Sequence, residues 1–339
     1  MTALTVPGTA ATGRPAGGPH LVRWLLRLHR PALCVWAALV LAVGGVLLWL
    51  RGPLIDAAAT AWRRYDACPT PSCSYDLDTV RLYKDVYLDA TLAVLLVPFL
   101  VAIWSGAALI GRELESGTAR LAWTQTASPT RWLAARLALP AALVTAGTGL
   151  LVLLHRLAWS AGRGRLDTTD SWWDGPTFHA NGPTAVAMAL AGLAVGVLAG
   201  LLWRRALAAL VTAAAGVAGL WIALALAVPH LWPPVSRVVP FGHSGPPLGE
   251  FTVGGGLVRA DGTRLQTPGC SGEASCDAAY ARLHAVGAYR DYHPASHFWP
   301  LQLTATGLLL AVTALLTVAA FLLLRHRTAT APTRKEPTA

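Results

Sequence analysis

Hydrophobic residues fall in six long uncharged stretches of the chain, separated by segments that carry its charged residues. A helix needs about 20 apolar residues to cross about 30 Å of hydrocarbon, and each stretch is close to that length. Within hydrocarbon, a single segment satisfies its own backbone hydrogen bonds only as a helix. The pattern therefore predicts an all-α, polytopic membrane protein with about six transmembrane helices, at residues 31–50, 90–110, 137–154, 184–203, 206–228 and 299–324.

Composition supports the same class of protein. Hydrophobic residues make up 54% of the 339 residues and charged residues only 13%, which is too apolar for an ordinary soluble domain. Small residues at 57–61 resemble a signal-peptide cleavage site. The first apolar stretch is longer than the core of a signal peptide, so we expect it to be an uncleaved anchor.

The charged residues are distributed unequally between the two sets of loops. With an even number of spans, both termini lie on one side, and their set carries 14 basic and three acidic residues. The other loops, 51–89, 155–183 and 229–298, carry 13 basic and 14 acidic residues. Because basic residues resist translocation, we expect both termini to be cytoplasmic in a multi-pass protein of the cell membrane. The positive charge that gives the chain its net +10 is thus concentrated on the cytoplasmic side, where it faces anionic lipid rather than nucleic acid.

Four of the five cysteines form two close pairs in the outer loops, Cys68 with Cys73 and Cys270 with Cys276. Disulfides persist in oxidising compartments, so these pairs agree with the predicted orientation. Four cysteines allow three pairings, and the sequence leaves the connectivity open. A zinc site is the rival interpretation, but neither pair has a matching histidine pair at ligand spacing.

The two ends of the chain differ from the spans in composition. Residues 1–30 begin with a Gly/Pro-rich segment that we expect to be disordered. An amphipathic segment follows, with Leu21 and Trp24 on one helical face and Arg23 and Arg27 on another. It is typical of a helix lying at the membrane interface, and a solvated basic segment is the alternative. We expect residues 325–339 to be a cytoplasmic tail.

A glycine repeat marks the fourth predicted span. Gly192, Gly196 and Gly200 recur every four residues and leave one helical face without side chains. This spacing predicts close packing against a neighbouring helix. The neighbour can belong to the same chain or to a second copy.

The inner loop 111–132 is compact and mixed in charge. It predicts a short helix ending near Gly117, a second amphipathic piece with Leu121 and Trp123, and a turn at Ser128-Pro129. A loop that only reverses the chain direction could be half this length. The additional residues indicate a function for this loop.

Chemical motifs are mostly missing from the sequence. No charged side chain lies in the six predicted spans, which disfavours proton-coupled transport and intramembrane hydrolysis. The only lysines, Lys84 and Lys335, do not stand in a P-loop. Ser244 lacks the second glycine of a nucleophile elbow, because Pro246 occupies that place. We therefore predict no catalytic residue, no cofactor and no metal site, and the chain is not expected to be an enzyme.

Residues 112–132 resemble the cytoplasmic loop of permease subunits of type-2 ABC transporters from GC-rich bacteria. In that family an acidic residue and a Gly-Thr pair follow the second span, and a turn containing serine and arginine enters the third. Here Glu115, Gly117-Thr118 and Thr130-Arg131 match. The last span, which begins at Phe298 and ends at 325–327, also looks like the last helix of that family.

The resemblance implies an exporter in which a separate cytoplasmic ABC ATPase binds ATP and a second permease copy completes a homodimer. It also implies an ATPase-coupling loop with the residues Arg112, Glu113, Glu115, Gly117, Thr118, Arg120, Trp123 and Arg131. We expect Glu113 and Glu115 to face basic groups of the ATPase; a solvated helix end is the alternative role. Leu121 and Trp123 would anchor the loop to the membrane.

The large outer loops support a second functional hypothesis of a different class. The chain would then be a non-transporting membrane sensor or partner-binding module. A stand-alone ABC ATPase encoded beside the gene would favour the permease, and its absence would favour the module.

Overall fold

The computed structural model describes residues 30–68, 77–119, 123, 128–166, 171–241 and 251–329. The helices are α1 (Arg30–Asp66), α2 (Asp78–Glu115), α3 (Pro129–Gly162), α4 (Gly175–Ala180), α5 (Thr184–Trp203), α6 (Ala206–His230), α7 (Glu273–Arg282) and α8 (Ala295–Ala329). The strands are β1 (Val235–Pro240), β2 (Phe251–Arg259), β3 (Arg264–Leu265) and β4 (Ala285–His293). The expected interfacial helix before residue 30 and the tail from residue 330 lie outside the described residues.

Six of these helices, α1, α2, α3, α5, α6 and α8, are long and apolar enough to cross a membrane. The prediction of a mostly helical protein with six spans is therefore confirmed. The helices also continue past the predicted spans, because α2 begins at Asp78 and α3 at Pro129. Charged residues that were predicted to lie in loops, such as Glu113 and Arg136, are consequently part of the helices.

The chain divides into two compact units, Met1–Ala42 and Val43–Ala339. The described part of the first unit is the helical start of α1. The second unit contains the rest of the helices and the sheet.

Two helices contain a wider π-helical segment. In α1 the segment Leu50–Leu54 includes Pro53, whose missing N–H disturbs the regular hydrogen-bond ladder. In α2 the segment Trp104–Gly111 lies where this helix contacts α5 and α6. Within it, Ser105 Oγ donates hydrogen bonds to Ala102 O at 3.1 Å and to Leu193 O at 3.3 Å. The irregular turn thus ties α2 to the backbone of α5.

Helix α5 is the most buried of the six spans and packs against α2, α3, α6 and α8. Its glycine face meets α2 of the same chain. A Cβ atom at Gly192, Gly196 or Gly200 would lie under 3.0 Å from atoms of Pro98, of Ala102 and Ser105, or of Gly106 and Ile110. Only glycine permits so close an approach of two helix backbones.

Helix α6 packs beside this contact through alanines. The buried residues Ala102, Ala199, Ala209, Ala213 and Val217 form one cluster that joins α2, α5 and α6. A Cβ atom at Gly106 would lie 3.1 Å from Gly196 O and 3.3 Å from Ala209 O. Small side chains on all three helices therefore set their separation.

A four-stranded antiparallel sheet lies between α6 and α8, in the strand order β1-β4-β2-β3. The sequence predicted this segment only as a partly folded outer loop. A disulfide joins Cys270 to Cys276 and closes the segment that leads into α7, which gives the connectivity of two of the four cysteines that the sequence left open. Cys73 of the other pair lies outside the described residues.

The local sequence favours a helix over residues 273–286, but the helix in the structure is shorter. Helix α7 ends at Arg282, and His284 adopts a left-handed backbone conformation with φ of 52°. From Ala285 the backbone pairs with β1 and β2 instead. Long-range strand pairing thus replaces the last helical turn that the local sequence favours.

We expect the substitution Gly196→Ala to destabilise the protein, because the added methyl group would collide with the α2 backbone at Ala102. Overpacking of this kind costs about 1–3 kcal/mol. The measurement is the apparent melting temperature of the purified protein in detergent. Gly149→Ala and Gly307→Ala are the matched controls, since no atom lies within 4 Å of a Cβ at either site. Equal melting temperatures for all three variants would contradict the proposed packing.

Candidate functional site

The helix bundle has two ends, which we name by what lies at each. The loop end contains the end of α2, the start of α3, and the turn between α5 and α6. The sheet end contains α4 and the four-stranded sheet. The predicted coupling residues lie at the loop end.

An ion pair between α2 and α3 is the central feature of the loop end. Arg136 Nη2 lies 2.6 Å from Glu113 Oε1, and the side chains are 7% and 20% exposed respectively. Burial removes both charges from most of their hydration, so each depends on the other for compensation. The pair therefore fixes the end of α2 against the start of α3.

Trp132 contacts this ion pair, and Trp123 packs against Trp132. The Trp132 side chain forms a hydrogen bond with Glu113, and the Arg136 guanidinium lies 5.9 Å from the centre of the Trp132 ring. Trp123 meets Trp132 edge-on, with ring centres 5.7 Å apart. We call Glu113, Glu115, Trp132 and Arg136 the loop-end cluster.

Glu115 connects the same segment to a third helix. Its Oε2 accepts a hydrogen bond of 3.0 Å from the backbone N–H of Ala206, the first residue of α6. A carboxylate at this position satisfies an unpaired N–H and complements the positive end of the helix dipole. The loop-end cluster thus contacts α2, α3 and α6.

The end of α2 has a defined geometry after these glutamates. Gly117 has φ of 75°, the left-handed conformation that commonly follows the last turn of a helix. The Thr118 hydroxyl donates a hydrogen bond of 3.3 Å to Glu113 O. The helix therefore ends near Gly117, as the sequence predicts. Thr118 binds the backbone of Glu113, the residue that forms the ion pair with Arg136.

The start of α3 differs from the prediction of a turn at Ser128-Pro129. Ser128 is the N-cap of α3, and its Oγ accepts a hydrogen bond of 3.4 Å from the Arg131 backbone N–H. Pro129 occupies the first helical position, where its missing N–H has no cost. Residues 129–136 therefore belong to the helix, and this places Arg136 opposite Glu113.

The predicted coupling residues differ in their contacts within the chain. Glu113 and Glu115 bind Arg136 and the Ala206 N–H, and a contact of these glutamates with an ATPase stays a prediction. Arg112 and Arg131 have exposed side chains and form no ion pair among the residues that the structure describes. Arg120 lies outside the described residues.

Sequence reasoning missed Arg136 and Trp132 as site residues. Arg136 was counted only as a basic residue of the inner loop, beyond the edge of a predicted span. The available signal was the spacing of Trp132 and Arg136, which are four residues apart and so share a helical face. A charged residue at the edge of a span also tends to pair with another group of the protein.

A second contact at the loop end joins α8 to α5. Arg327, in the last turn of α8, donates hydrogen bonds to Leu201 O and Leu202 O at the end of α5. These carbonyls have no partner within their own helix, and a guanidinium complements the negative end of the helix dipole. Helix α8 is thereby fixed to α5.

Buried polar side chains hold the opposite, sheet end together. His155 on α3 lies 2.8 Å from Thr91 Oγ1 and 2.7 Å from Asn181 Oδ1. Gln302 on α8 accepts hydrogen bonds from the backbone N–H and the hydroxyl of Thr184. These contacts connect α2 with α3 and α5 with α8, and they give the buried imidazole of His155 and the buried amide of Gln302 hydrogen-bond partners.

The histidine of α4 adds no charge to this end at neutral pH. Burial lowers the pKa of His179 to about 4, because the apolar surroundings disfavour its cationic form. The ring lies edge-on to Trp221, with centres 4.8 Å apart. Within the described ranges, no group of three or more His, Cys, Asp or Glu side chains is placed to hold a metal ion.

Comparison with known proteins identifies one family. The family described as "ABC-2 membrane transporter related" matches residues 37–229, which is more than half of the chain and includes the loop-end cluster. No curated protein and no solved structure matches the chain.

We expect Glu113→Gln and Arg136→Gln each to destabilise the protein by about 3 kcal/mol, because each leaves a buried charge without its partner. The exchange Glu113→Arg with Arg136→Glu should recover part of this loss, since opposite charges again face each other. Thermal unfolding in detergent measures the effect. Asp78→Asn is the control, because its pair with Arg81 is highly exposed and should contribute less than about 1 kcal/mol. Single variants as stable as this control would rule out a stabilising pair.

Proposed function

The chain belongs to the ABC-2 membrane transporter related family, and on this premise we propose that it is the permease subunit of an ATP-driven exporter, powered by a separate cytoplasmic ATPase. The family and the six apolar helices make it a multi-pass membrane protein of an ABC transporter. The two lysines of the chain do not stand in a P-loop. A partner subunit is therefore the source of ATP binding in this proposal.

The observation that carries the proposal is the connection of one short segment to three spans. The buried Glu113–Arg136 pair joins α2 to α3, and Glu115 joins the same turn to the start of α6. A force applied to the segment after α2 would move these helices together rather than bend a loose loop. This is the property that an ATPase needs in order to change the packing of a membrane domain.

Two exposed arginines are the proposed contacts of the ATPase. Arg112 lies on the last turn of α2, next to Glu113 in the chain, and Arg131 lies on the first turn of α3, next to Trp132. Both charges are solvent-exposed, so binding an acidic surface would not require breaking an internal ion pair. Glu113 and Glu115 instead hold the helices on which these arginines lie.

The remaining parts of the proposal concern orientation and assembly. The loop end faces the cytoplasm of a bacterial cell, because the loops of that end carry the excess of basic residues. A second copy of the chain completes the permease. Substrate would leave the cell by a change in packing of the spans around α5.

After residue 120, a fused green fluorescent protein should fluoresce and a fused alkaline phosphatase should be inactive, because the basic loops stay on the cytoplasmic side. Paired alkaline phosphatase and green fluorescent protein fusions make this measurement. Fusions after residue 262, in the turn between β2 and β3, are the matched control and should give the opposite result. Phosphatase activity at residue 120 would leave the ATPase no access to the loop end.

We expect Arg112→Gln combined with Arg131→Gln to reduce ATPase stimulation by the permease at least about tenfold, because two charge-assisted contacts are lost. The probe is the stand-alone ABC ATPase that we expect beside the gene, reconstituted with the permease in liposomes. Arg63→Gln with Arg64→Gln removes the same charge at the sheet end and should leave stimulation unchanged.

The melting temperature of the Arg112/Arg131 variant should equal that of the unmodified chain, since both side chains are exposed. Full stimulation by this variant would contradict the assigned contact. An unmodified chain that neither binds nor stimulates the ATPase would instead favour the non-transporting membrane module.

A further inference from the structure

Two arginines face each other across neighbouring strands of the sheet. In the register of β1 with β4, Arg237 pairs with Arg290 and Val235 pairs with Tyr292. Side chains of directly paired residues lie on the same face, with Cβ atoms about 5 Å apart. The two guanidinium groups therefore share one face of the sheet.

No acidic side chain compensates this pair in the described part of the chain, because Asp291 lies on the opposite face and binds Arg264. Neither Arg237 nor Arg290 forms an ion pair or a side-chain hydrogen bond there. Arg264, on the opposite face, differs because its positive charge is compensated by an acidic side chain. It binds Asp291 at 3.2 Å and Ser236 Oγ at 2.8 Å, and it lies over the Tyr289 ring.

Like charges directly opposite each other destabilise a sheet. Two adjacent guanidinium groups offer parallel N–H donors that match the oxygens of a phosphate, and arginine binds phosphate in this bidentate way. A bound anion would thus convert a repulsive pair into a compensated one.

The face beside the arginines is open. Gly255 pairs with Arg290 on β2 and is exposed. A Cβ atom at Gly255 would have only β4 atoms within 4 Å, Tyr289 O at 3.1 Å and Arg290 Cα at 3.8 Å. Thr252, also exposed, lies on the same face through its pairing with Tyr292. An anion can therefore approach the two arginines over these exposed positions of β2.

The position of the pair along the strands places it near the membrane surface. Only residues 231–234 separate α6 from β1, and Pro294 alone separates β4 from α8. Arg237 and Arg290 lie two residues beyond the Val235–Tyr292 row, which is about 7 Å along a strand. The exposed rings of Trp232 and Trp299 lie where α6 ends and α8 begins, and exposed tryptophans at span ends are typical of the membrane interface. The headgroup layer is about 5–8 Å thick on each side.

We propose that Arg237 and Arg290 bind the phosphate of an anionic phospholipid headgroup at the membrane surface. This assignment rests on three observations. The two arginines pair across neighbouring strands, the β2 positions beside them are exposed, and only short segments connect their strands to the spans. The site would hold the sheet against the lipid surface, and it does not depend on the proposed transport function.

The experiment measures binding of dioleoylphosphatidylglycerol to the full chain in detergent micelles, with dioleoylphosphatidylcholine and inorganic phosphate as separate arms. Phosphatidylglycerol should raise the melting temperature more than phosphatidylcholine, because a ligand of the folded state stabilises it. Arg237→Gln and Arg290→Gln should each raise the apparent Kd for phosphatidylglycerol about tenfold, the effect of losing one charge-assisted contact. Arg237→Lys should lose less, since it keeps the charge but not the bidentate geometry.

Arg282→Gln is the matched control, because it removes one exposed charge from α7 in the same domain. It should leave the Kd unchanged. The melting temperature of the lipid-free protein should not fall in either pair variant, because removing one charge relieves the repulsion between the arginines, and this tests that the variants fold. Unchanged phosphatidylglycerol binding in both pair variants would overturn the site. Equal stabilisation by inorganic phosphate would overturn its assignment to a lipid.

Discussion

The contact between the backbones of α2 and α5 is the constraint on which the rest of the bundle depends. Glycines on α5 and the π-helical segment of α2 bring the two helices close enough for Ser105 to bind the carbonyl of Leu193. In lipid there is no general hydrophobic force between helices, so close van der Waals contact and hydrogen bonds supply the association. Helix α6 then packs against both helices through alanines.

This arrangement determines where the loop end can form. Once α2, α5 and α6 are in contact, the last turn of α2 lies beside the start of α6. Glu115 then accepts a hydrogen bond from the N–H of Ala206. Helix α3 is added through the ion pair of Glu113 with Arg136. A buried ion pair stabilises little in total, but losing one partner costs much. It is therefore suited to specifying which helices move together.

The two ends of the bundle are held by different chemistry. At the loop end, charged groups complete helix ends and pair across helices, as Arg327 does with the last carbonyls of α5. At the sheet end, neutral buried groups such as His155, Asn181 and Gln302 connect the helices. Charge near a membrane interface remains compatible with water, whereas neutral hydrogen bonds avoid the cost of burying an ion.

The sequence by itself determined the number of spans, because a run of about 20 uncharged residues has few alternatives to a membrane helix. It also determined the glycine face of α5 and the end of α2 at Gly117, since both depend on local backbone geometry. Only the tertiary structure decided that α2 is the neighbour of that face and that Glu113 binds Arg136. It alone decided that residues 285–293 form a strand. These features join positions that are far apart in the chain, and the spacing of residues along one helix carries no information about which distant segment will meet it.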